Sequence, residues 1–550
     1  MHISSVTSWK YIPAVPHAFE EYSRYARNSR GRQGHMPEDP AGTGTSAGRS
    51  TLATVAAHKI SSLLAAAFLE QEQRTPDESR IYGAKLREEV PAEAQAMWPP
   101  KSQARPDPLG LLESQAADRV LELLPIRYER MAQDPFAFYR GCALPMAGDL
   151  ATTPMTPLRV QASGDAHIAN FGIFATPERQ RVFDLNDFDE TARGPWEWDL
   201  KRLAASVDVC ARVLGLSREK TDKAVRACVN TYHQSMAQFA EMGNLEVWYA
   251  QADADHLKAL AEEVGGKSER KAFKKTLSKA ERKNSARAVQ KFTEVVDGKL
   301  RIVSDPPLIV PVRDIAQKKV SESGFKETIM RELAQDTRFA HEDSAARLIR
   351  LILKGYRASL PDNRKALLDS YHGVDIARKV VGVGSVGLRA WICVFEGADA
   401  DDSLVLQIKE AVPSVLERYV GKSGYAEQGQ RVVEGQRAIQ VSSDLLLGWT
   451  RLPAEDGRMH DYYVRQLWDG KGAPDLTKID AHRLTHLAAL CGWTLARAHA
   501  RTGDRFAIAS YLGRDTVMDD AFCTFAHAYA GQTEEDYEAF LAARKQGRFC

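Results

Sequence analysis

The chain has 550 residues, of which 44% are hydrophobic and 27% are charged, as in ordinary globular proteins. Its 74 Lys and Arg residues balance 73 Asp and Glu residues, and a net charge of only +1 excludes a global field that would attract nucleic acid or a membrane. The seven cysteines include no CxxC pair, which argues against a zinc site or a disulfide framework and favours a reduced, cytoplasmic protein.

The first 108 residues are predicted to be largely disordered or linker, with one helix. Residues 1–22 lack a basic head followed by an apolar core, so no secretory signal is expected. Residues 23–50 are too poor in large apolar side chains to offset the entropy of an ordered chain. Residues 51–73 predict one amphipathic helix. Its apolar stretch, 60–69, is about half as long as a bilayer requires, so no membrane partner is expected.

Residues 109–373 are predicted to form a helical lobe that carries the catalytic and metal-binding loops. Apolar residues at helical spacing predict helices at 200–214, 221–240, 254–264, 271–292 and 325–360. Strand signals occur at 158–161, 171–174 and 181–185. The prolines Pro306, Pro307 and Pro311 predict a loop. Ten basic residues crowd 267–291, but few aromatic residues are interleaved, so a solvated helix face is favoured over a nucleic-acid partner.

The composition changes near residue 373, where β-branched and apolar residues become frequent. Strands are predicted within 374–395 and at 404–408, 444–450 and 462–467, with a helix at 426–440. Residues 374–470 therefore predict a small, β-rich, nucleotide-binding lobe. Residues 471–550 predict helices at 479–501 and 519–545 that return to the helical lobe. The fold class that follows is α+β.

A polar loop after the first strand signal has the composition of a phosphotransfer site. Asp165 is the candidate general base, because a hydroxyl acceptor needs a carboxylate within reach as its proton leaves. Asn170 and Asp187, or alternatively Asp184, are candidate ligands for Mg²⁺, which prefers oxygen. His167 either orders the loop, touches phosphate or is a packed histidine.

A glycine-rich segment much later in the chain supplies a candidate phosphate loop. Its glycines fit a pattern that lets the backbone approach phosphate oxygens, and a strand rather than a helix follows them. The candidate residues of this loop are Gly382, Gly384, Ser385 and Gly387. Lys409 ends the next apolar strand and is the candidate partner of the nucleotide phosphates. Glu434 is the carboxylate expected to orient it, with Glu427 and Glu417 as alternatives.

These residues resemble the protein-kinase-like superfamily, especially its aminoglycoside and choline kinase branch. The segment Ser163–Asn170 matches the Gly-Asp-x-His-x-x-Asn loop of that branch, with Ser163 where histidine is usual. The resemblance implies that Asp199 braces this loop, although Asp199 also fits a plain helix N-cap. It further implies that the strand ending at Gln466 and Leu467 meets adenine.

One departure from that superfamily is large. The glycine loop here follows the catalytic loop by about two hundred residues, whereas kinases carry it first. The resemblance therefore implies a two-lobed, protein-kinase-like fold that is circularly permuted, which is tolerable when the old termini lie close together.

Most of the chain also resembles a bacterial family called domain of unknown function 2252. The segments that carry this resemblance are Arg127–Met131, Pro135–Gly141, Gly164–Gly172, Asn186–Thr191, Val381–Gly387 and Gly429–Gln436. This second resemblance implies membership without a known substrate.

The sequence thus predicts an ATP- and Mg²⁺-dependent phosphotransferase that acts on a small-molecule hydroxyl group. Transfer of AMP is an alternative, since related folds perform it with much the same residues. Two further alternatives are a catalytically silent nucleotide-binding or scaffold protein and a metal-dependent phosphoester hydrolase. The last is suggested by Gly164 to His167, but the other histidines do not follow similar turns.

Overall fold

The structure is a computed structural model of the chain. It describes residues 74–99, 105–253, 285–296, 299–317, 344–380, 386–399, 402–453, 458–467 and 470–549, together with a few single positions that include Gly382 and Gly384. The disordered segment predicted at 23–50 and the helices predicted at 51–73 and 254–264 lie outside the described residues, as do parts of those predicted at 271–292 and 325–360.

The part of the fold before residue 254 is mainly helical, with short strands in its middle. Its helices are α1 (Pro76–Glu89), α2 (Pro108–Ser114), α3 (Leu124–Met131), α4 (Pro135–Gly141), α5 (Ala143–Leu150), α6 (Trp196–Val213), α7 (Arg218–Phe239) and α8 (Asn244–Tyr249). Its strands are β1 (Arg159–Ala162), β2 (Phe171–Ala175), β3 (Arg181–Leu185), β4 (Ala192–Pro195) and β5 (Ala252–Asp253).

The part between residues 285 and 466 contains the larger sheet. Its strands are β6 (Thr293–Val296), β7 (Lys299–Ile302), β8 (Ile309–Pro311), β9 (His372–Lys379), β10 (Ala390–Glu396), β11 (Ser403–Ala411), β12 (Gly448–Pro453) and β13 (Met459–Gln466). Its helices are α9 (Ser285–Phe292), α10 (Val312–Gln317), α11 (Ser344–Ala358), α12 (Asp362–Asp369), α13 (Glu417–Val420) and α14 (Gln428–Ile439).

Three helices end the chain and share the core of the first helical part. They are α15 (Ala481–Thr502), α16 (Arg505–Leu512) and α17 (Val517–Lys545). Helix α15 packs along α7, and α17 packs along α6. The interface buries large aromatic side chains from both parts, such as Trp196, Tyr232 and Trp493. The chain therefore leaves the helical core, builds the sheet and then returns.

The larger sheet has six antiparallel strands in the order β12-β13-β11-β10-β9-β8. Both faces are apolar because side chains alternate along each strand. On β10, Trp391 and Cys393 pack under α11, whereas Ile392 and Val394 pack under α9. The expected loop at Pro311 is wrong, since Pro311 belongs to β8. This strand lies at the sheet edge, where a residue without a backbone N–H is tolerated.

Part of the segment assigned to the N-terminal linker is folded. Helix α1 packs on α16, and Arg87 binds both the Leu512 carbonyl and the Asp515 carboxylate. The Gln95 amide donates to the Tyr511 hydroxyl at 2.9 Å. The folded body consequently begins before residue 108, and composition missed this because α1 is polar on most of its surface.

The expected α+β class, with small antiparallel sheets, is confirmed. Among the described helices, none combines the length and the apolar character that crossing a bilayer requires.

Candidate functional site

Lys409 lies on the face of the sheet that borders a cleft. Along β11 the even-numbered residues of 404–408 pack into the core on the α11 side. Because side chains alternate along a strand, Gln407 and Lys409 point to the opposite face. There they line the cleft together with Arg465 of β13 and Leu467 just beyond it.

The Lys409 ammonium is held by two carboxylates from the first helical part. It forms an ion pair with Asp189, and its Nζ lies 3.9 Å from Oδ1 of Asp187. The Tyr463 hydroxyl donates to Asp189 at 2.7 Å. Burial opposes the charge on Lys409, but the two carboxylates outweigh burial and raise the pKa of Lys409. Lys409 therefore keeps its positive charge inside the cleft.

The expected contact between Lys409 and Glu434 is not formed, because helix α14 presents another face. Arg431 and Gly435, four residues apart and so on one side of the helix, pack against the loop 189–191. Arg431 donates to the Asp189 carbonyl at 2.8 Å. Glu434 faces away and pairs with Arg437 at 2.8 Å. Helix α14 thus supports the loop that carries Asp189.

The loop between β1 and β2 is fixed from below by helix α6. The Asp199 carboxylate accepts the backbone N–H groups of Ser163 and Gly164 at 2.6 and 2.9 Å. Helix α6 begins at Trp196, so Asp199 is not its N-cap. The bracing contact that the resemblance implied is confirmed.

Gly164 locks this loop against the one that carries Asp187 and Asp189. Its φ of +77° favours glycine, and a Cβ there would lie 2.2 Å from the Glu190 carbonyl oxygen. The Asn186 N–H also donates to the Asn170 carbonyl at 2.9 Å. The two loops therefore form one unit.

Asp165 sits in the cleft with an arginine beside it. Arg202 of α6 places Nε and Nη2 at 2.8 and 2.7 Å from Oδ1 of Asp165. Burial raises the pKa of Asp165, and the Arg202 guanidinium opposes this effect. The second carboxylate oxygen lies 3.8 Å from Nε2 of His167. It is the oxygen that an acceptor hydroxyl could use.

His167 is buried in the loop and lies in the wall of the cleft. Burial, together with the charge of Arg140, holds the pKa of His167 well below its usual value, so the ring is neutral. Its Nδ1 has no hydrogen-bond partner among the described residues. A neutral ring can donate or accept a hydrogen bond, but it contributes no positive charge that would attract a phosphate group.

Asn170 and Asp187 supply oxygens that suit a hard cation. The Asn170 amide nitrogen donates to the Asp165 carbonyl at 2.7 Å, which leaves the amide oxygen as the group for a cation. Oδ1 of Asp187 is buried and has no hydrogen-bond partner among the described residues. Burial and the neighbouring Asp189 raise the pKa of Asp187. These donors fit Mg²⁺, which binds one or two carboxylates together with phosphate oxygens.

The alternative ligand Asp184 is not available to a metal. Both of its oxygens accept from Nη2 of Arg497 at 2.7 Å, and one also accepts the Val441 N–H at 2.8 Å. Asp184 belongs to β3 and is buried where α15 packs against this strand. Across the described ranges, no group of three or more His, Cys, Asp or Glu side chains is arranged to hold a metal.

The glycine loop between β9 and β10 forms the roof of the cleft. Gly382 and Gly384 line it, and Gly387 has a φ of +92°. Arg119 donates to the Gly384 carbonyl at 3.1 Å and so ties the roof to the helical part. Ser385, the remaining candidate of this loop, lies outside the described residues.

The two residues expected at adenine are only partly placed for that role. Leu467 lines the cleft, but its N–H donates to the Val405 carbonyl at 2.9 Å. The backbone N–H and the side-chain amide of Gln466 both donate to Asp444, at 2.6 and 2.8 Å. Gln466 therefore belongs to the sheet, whereas Leu467 offers an apolar surface.

A single cleft of about 800 Å³ brings most of the candidates together. The candidates that line it are Asp165, His167, Asn170, Asp187, Gly382, Gly384, Lys409 and Leu467. Glu434, Asp184, Gln466 and Gly387 do not line it. Basic residues outnumber acidic ones in its lining, which suits a polyanionic ligand.

Comparison with known protein families finds a match for most of the chain. The model of a family described as "Uncharacterized protein conserved in bacteria (DUF2252)" matches residues 119–543. The chain belongs to this family. No curated protein and no solved structure matches it. The matched part of this DUF2252 protein contains every cleft residue discussed so far.

The sequence alone did not indicate two residues that contact the candidate site residues Lys409 and Asp165. The sequence does not indicate Asp189 as the partner of Lys409, because 220 residues separate the two in the chain. The alternation of Asp187 and Asp189 around the buried Phe188 was the available signal. Arg202 was missed as well, although it follows Asp199 by three residues on one face of α6.

Proposed function

We propose that this protein is an ATP- and Mg²⁺-dependent phosphotransferase that acts on a hydroxyl group of a small molecule. The observation that supports this best is that Lys409 and Asp165, from distant parts of the chain, line one cleft. A triphosphate in that cleft would meet the Lys409 ammonium. A hydroxyl group beyond its terminal phosphate would meet the free oxygen of Asp165.

Each remaining residue has a role that follows from its contacts. Asp189 orients Lys409, which is the role that the sequence had suggested for Glu434. Asn170 and Asp187 would hold Mg²⁺, which would neutralise charge on the transferred phosphoryl group. Asp199 keeps Asp165 in position through the loop backbone. Positioning and electrostatics supply most of the catalysis in phosphoryl transfer, so these few groups suffice.

The proposed architecture is a circularly permuted, kinase-like fold with two lobes. The order of elements supports it, since the loops that carry Asp165 and Asp187 precede the glycine loop and Lys409. The return of α15 to pack along α7 supports it too, because it closes the helical part after the sheet.

A silent nucleotide-binding protein is the second candidate, and one observation favours it. The Arg202 guanidinium stabilises the charge on Asp165 and so opposes the rise in the pKa of Asp165 that burial causes, which disfavours proton transfer to this carboxylate. Such a protein would bind ATP in the same cleft without turnover.

The test combines a binding assay with a product assay. The melting temperatures of the wild-type protein and of Asp165→Asn are measured with and without Mg·ATP. Both proteins are also incubated with Mg·ATP, and the ADP, AMP and pyrophosphate that form are measured. We expect ATP to raise the melting temperature of both proteins and the wild type alone to form ADP. Pyrophosphate in place of ADP would indicate AMP transfer, and binding without any product would indicate the silent protein. If no nucleotide raises the melting temperature, the proposal fails.

A further inference from the structure

One end of the cleft is built from arginines that have no acidic partner. Arg119, Arg127 and Arg140 line the cleft near the glycine loop and the Asp165 loop. Within the described ranges, no carboxylate lies within 4 Å of a side-chain nitrogen of any of them. Three guanidinium groups that line one cleft, none of them with a described carboxylate in ion-pair contact, are costly to bury unless an anion joins them.

Arg127 is the clearest case because it is fully buried. Its Nη2 donates to the Gln115 side chain at 3.0 Å and to the Gly141 carbonyl at 3.3 Å. Its Nε and Nη1 have no hydrogen-bond partner among the described residues. Burial lowers the pKa of Arg127. A buried guanidinium with two idle donors is a poor structural element and a good anion ligand.

The neighbouring arginines extend this site in two directions. Arg119 reaches the glycine-loop carbonyls, and burial together with the charge of Arg127 lowers the pKa of Arg119 to about 9. Arg140 has a buried Nε without a partner among the described residues, and its charge acts on both Asp165 and His167. The cluster therefore lies next to the candidate base.

We propose that Arg119, Arg127 and Arg140 bind a phosphate monoester group on the acceptor, whose hydroxyl is thereby brought to Asp165. That the bound group belongs to an acceptor rests on the proposed function, whereas the anion site itself rests on the arginines alone. Guanidinium groups match phosphate oxygens in pairs, and a dianion suits three adjacent cations. An acceptor carrying amines would be repelled here.

The test uses inorganic phosphate as the probe at constant ionic strength, with the full chain saturated with Mg²⁺ and a non-hydrolysable ATP analogue. We expect phosphate to raise the melting temperature of the wild type in a saturable way. Arg127→Met and Arg140→Gln should abolish the response. The matched control Arg226→Met, which removes a half-exposed arginine of α7, should keep it.

Stability without phosphate separates an anion ligand from a structural arginine. If Arg127 serves an anion, Arg127→Met should melt at or above the wild-type temperature, since an uncompensated buried charge is removed. A lower melting temperature with an unchanged phosphate response would overturn the proposal. An unchanged response in the milder Arg140→Gln variant would overturn it as well.

The two proposals fail differently. A phosphate response that is seen without the ATP analogue and is lost in its presence would show that the arginines hold the terminal phosphate of the nucleotide, and would overturn the acceptor assignment. If no nucleotide binds, the proposed function fails, yet a phosphate response that depends on Arg127 would still establish the anion site. If the nucleotide binds and phosphate has no effect, the anion site and the acceptor assignment both fail, whereas the proposed function stands.

Discussion

Two sides of the cleft are held in opposite ways: its floor, formed by the loops that carry Asp165 and Asp187, and its roof, the glycine loop. In the floor, the loop of Asp165 is tied by its backbone to Asp199 and Ser206 of α6 and to the neighbouring loop. In the roof, a Cβ added to Gly382 would meet no atom within 4 Å, and one added to Gly384 would meet only the Arg140 carbonyl oxygen. The groups proposed for chemistry are thus positioned in advance, whereas the roof, although Arg119 ties it at Gly384, has open space beside Gly382 for a ligand. Changes in the floor should cost activity and stability, and changes in the roof should cost affinity.

The largest effect is expected at Asp165. Asp165→Asn removes the proposed base but keeps its size, so turnover should fall by about 10²–10⁴, as for other general bases. ADP formation at saturating ATP measures this, and the exposed Asp362→Asn is the control. Unchanged turnover would remove Asp165 from the mechanism.

Lys409→Met tests the contact that joins strand β11 of the sheet to the loop of Asp189 in the floor. Loss of the ammonium leaves the Asp189 carboxylate unpaired in a buried site, which costs about 3–5 kcal/mol of unfolding free energy. Urea unfolding measures this, and ATP should no longer raise the melting temperature. Lys365→Met, at a surface pair, should change neither quantity appreciably. A Lys409→Met protein as stable as the wild type would contradict the ion pair.

Asp199→Ala tests the brace beneath the floor. Two backbone N–H groups lose a charged acceptor, so the unfolding free energy should fall by about 3 kcal/mol. Asp199→Asn retains one acceptor oxygen and should fall between the two proteins in denaturant titrations. Equal stability of all three proteins would mean that α6 does not fix the loop.

A pair of glycines isolates the contact between the two floor loops. Gly164 and Gly215 both have positive φ, but only Gly164 faces a carbonyl oxygen, whereas Gly215 faces open space. Gly215→Ala should cost about 1 kcal/mol of unfolding free energy, from backbone strain alone. Gly164→Ala should cost at least about 1 kcal/mol more, as measured by chemical denaturation. Equal costs would show that the loops do not depend on each other.

The smallest effect is expected in the roof. Gly382→Ala and the control Gly424→Ala each add a methyl group in open space without positive φ, so neither should change the melting temperature of the unliganded protein. If the backbone at Gly382 approaches a phosphate, only Gly382→Ala should weaken ATP, by about 1 kcal/mol or roughly fivefold. Calorimetric titration compares the two variants. Identical affinities would argue against a phosphate loop.

Local rules predicted the pieces of the site better than their contacts. The strand that carries Lys409 and the loop that carries Asp165 follow from alternation and turn composition, and the two do line one cleft. The partner of Lys409 did not follow, because it depends on which face of α14 packs against the floor. Arg431 and Gly435 take that face, and Glu434 is rotated away from it.

Local sequence patterns also do not show which of two similar carboxylates is already occupied by an arginine. Asp184 and Asp187 look alike in sequence, and only the return of α15 provides Arg497 for Asp184. The edge position of Pro311 likewise depends on the order of strands in the sheet, which a single segment does not specify.

The most direct test of the central claim is a structure of the protein with Mg²⁺ and a non-hydrolysable ATP analogue. We expect the triphosphate between Lys409 and the glycine loop, and the metal at about 2.1 Å from an oxygen of Asp187. An analogue bound elsewhere, with the cleft free of phosphate, would contradict the account.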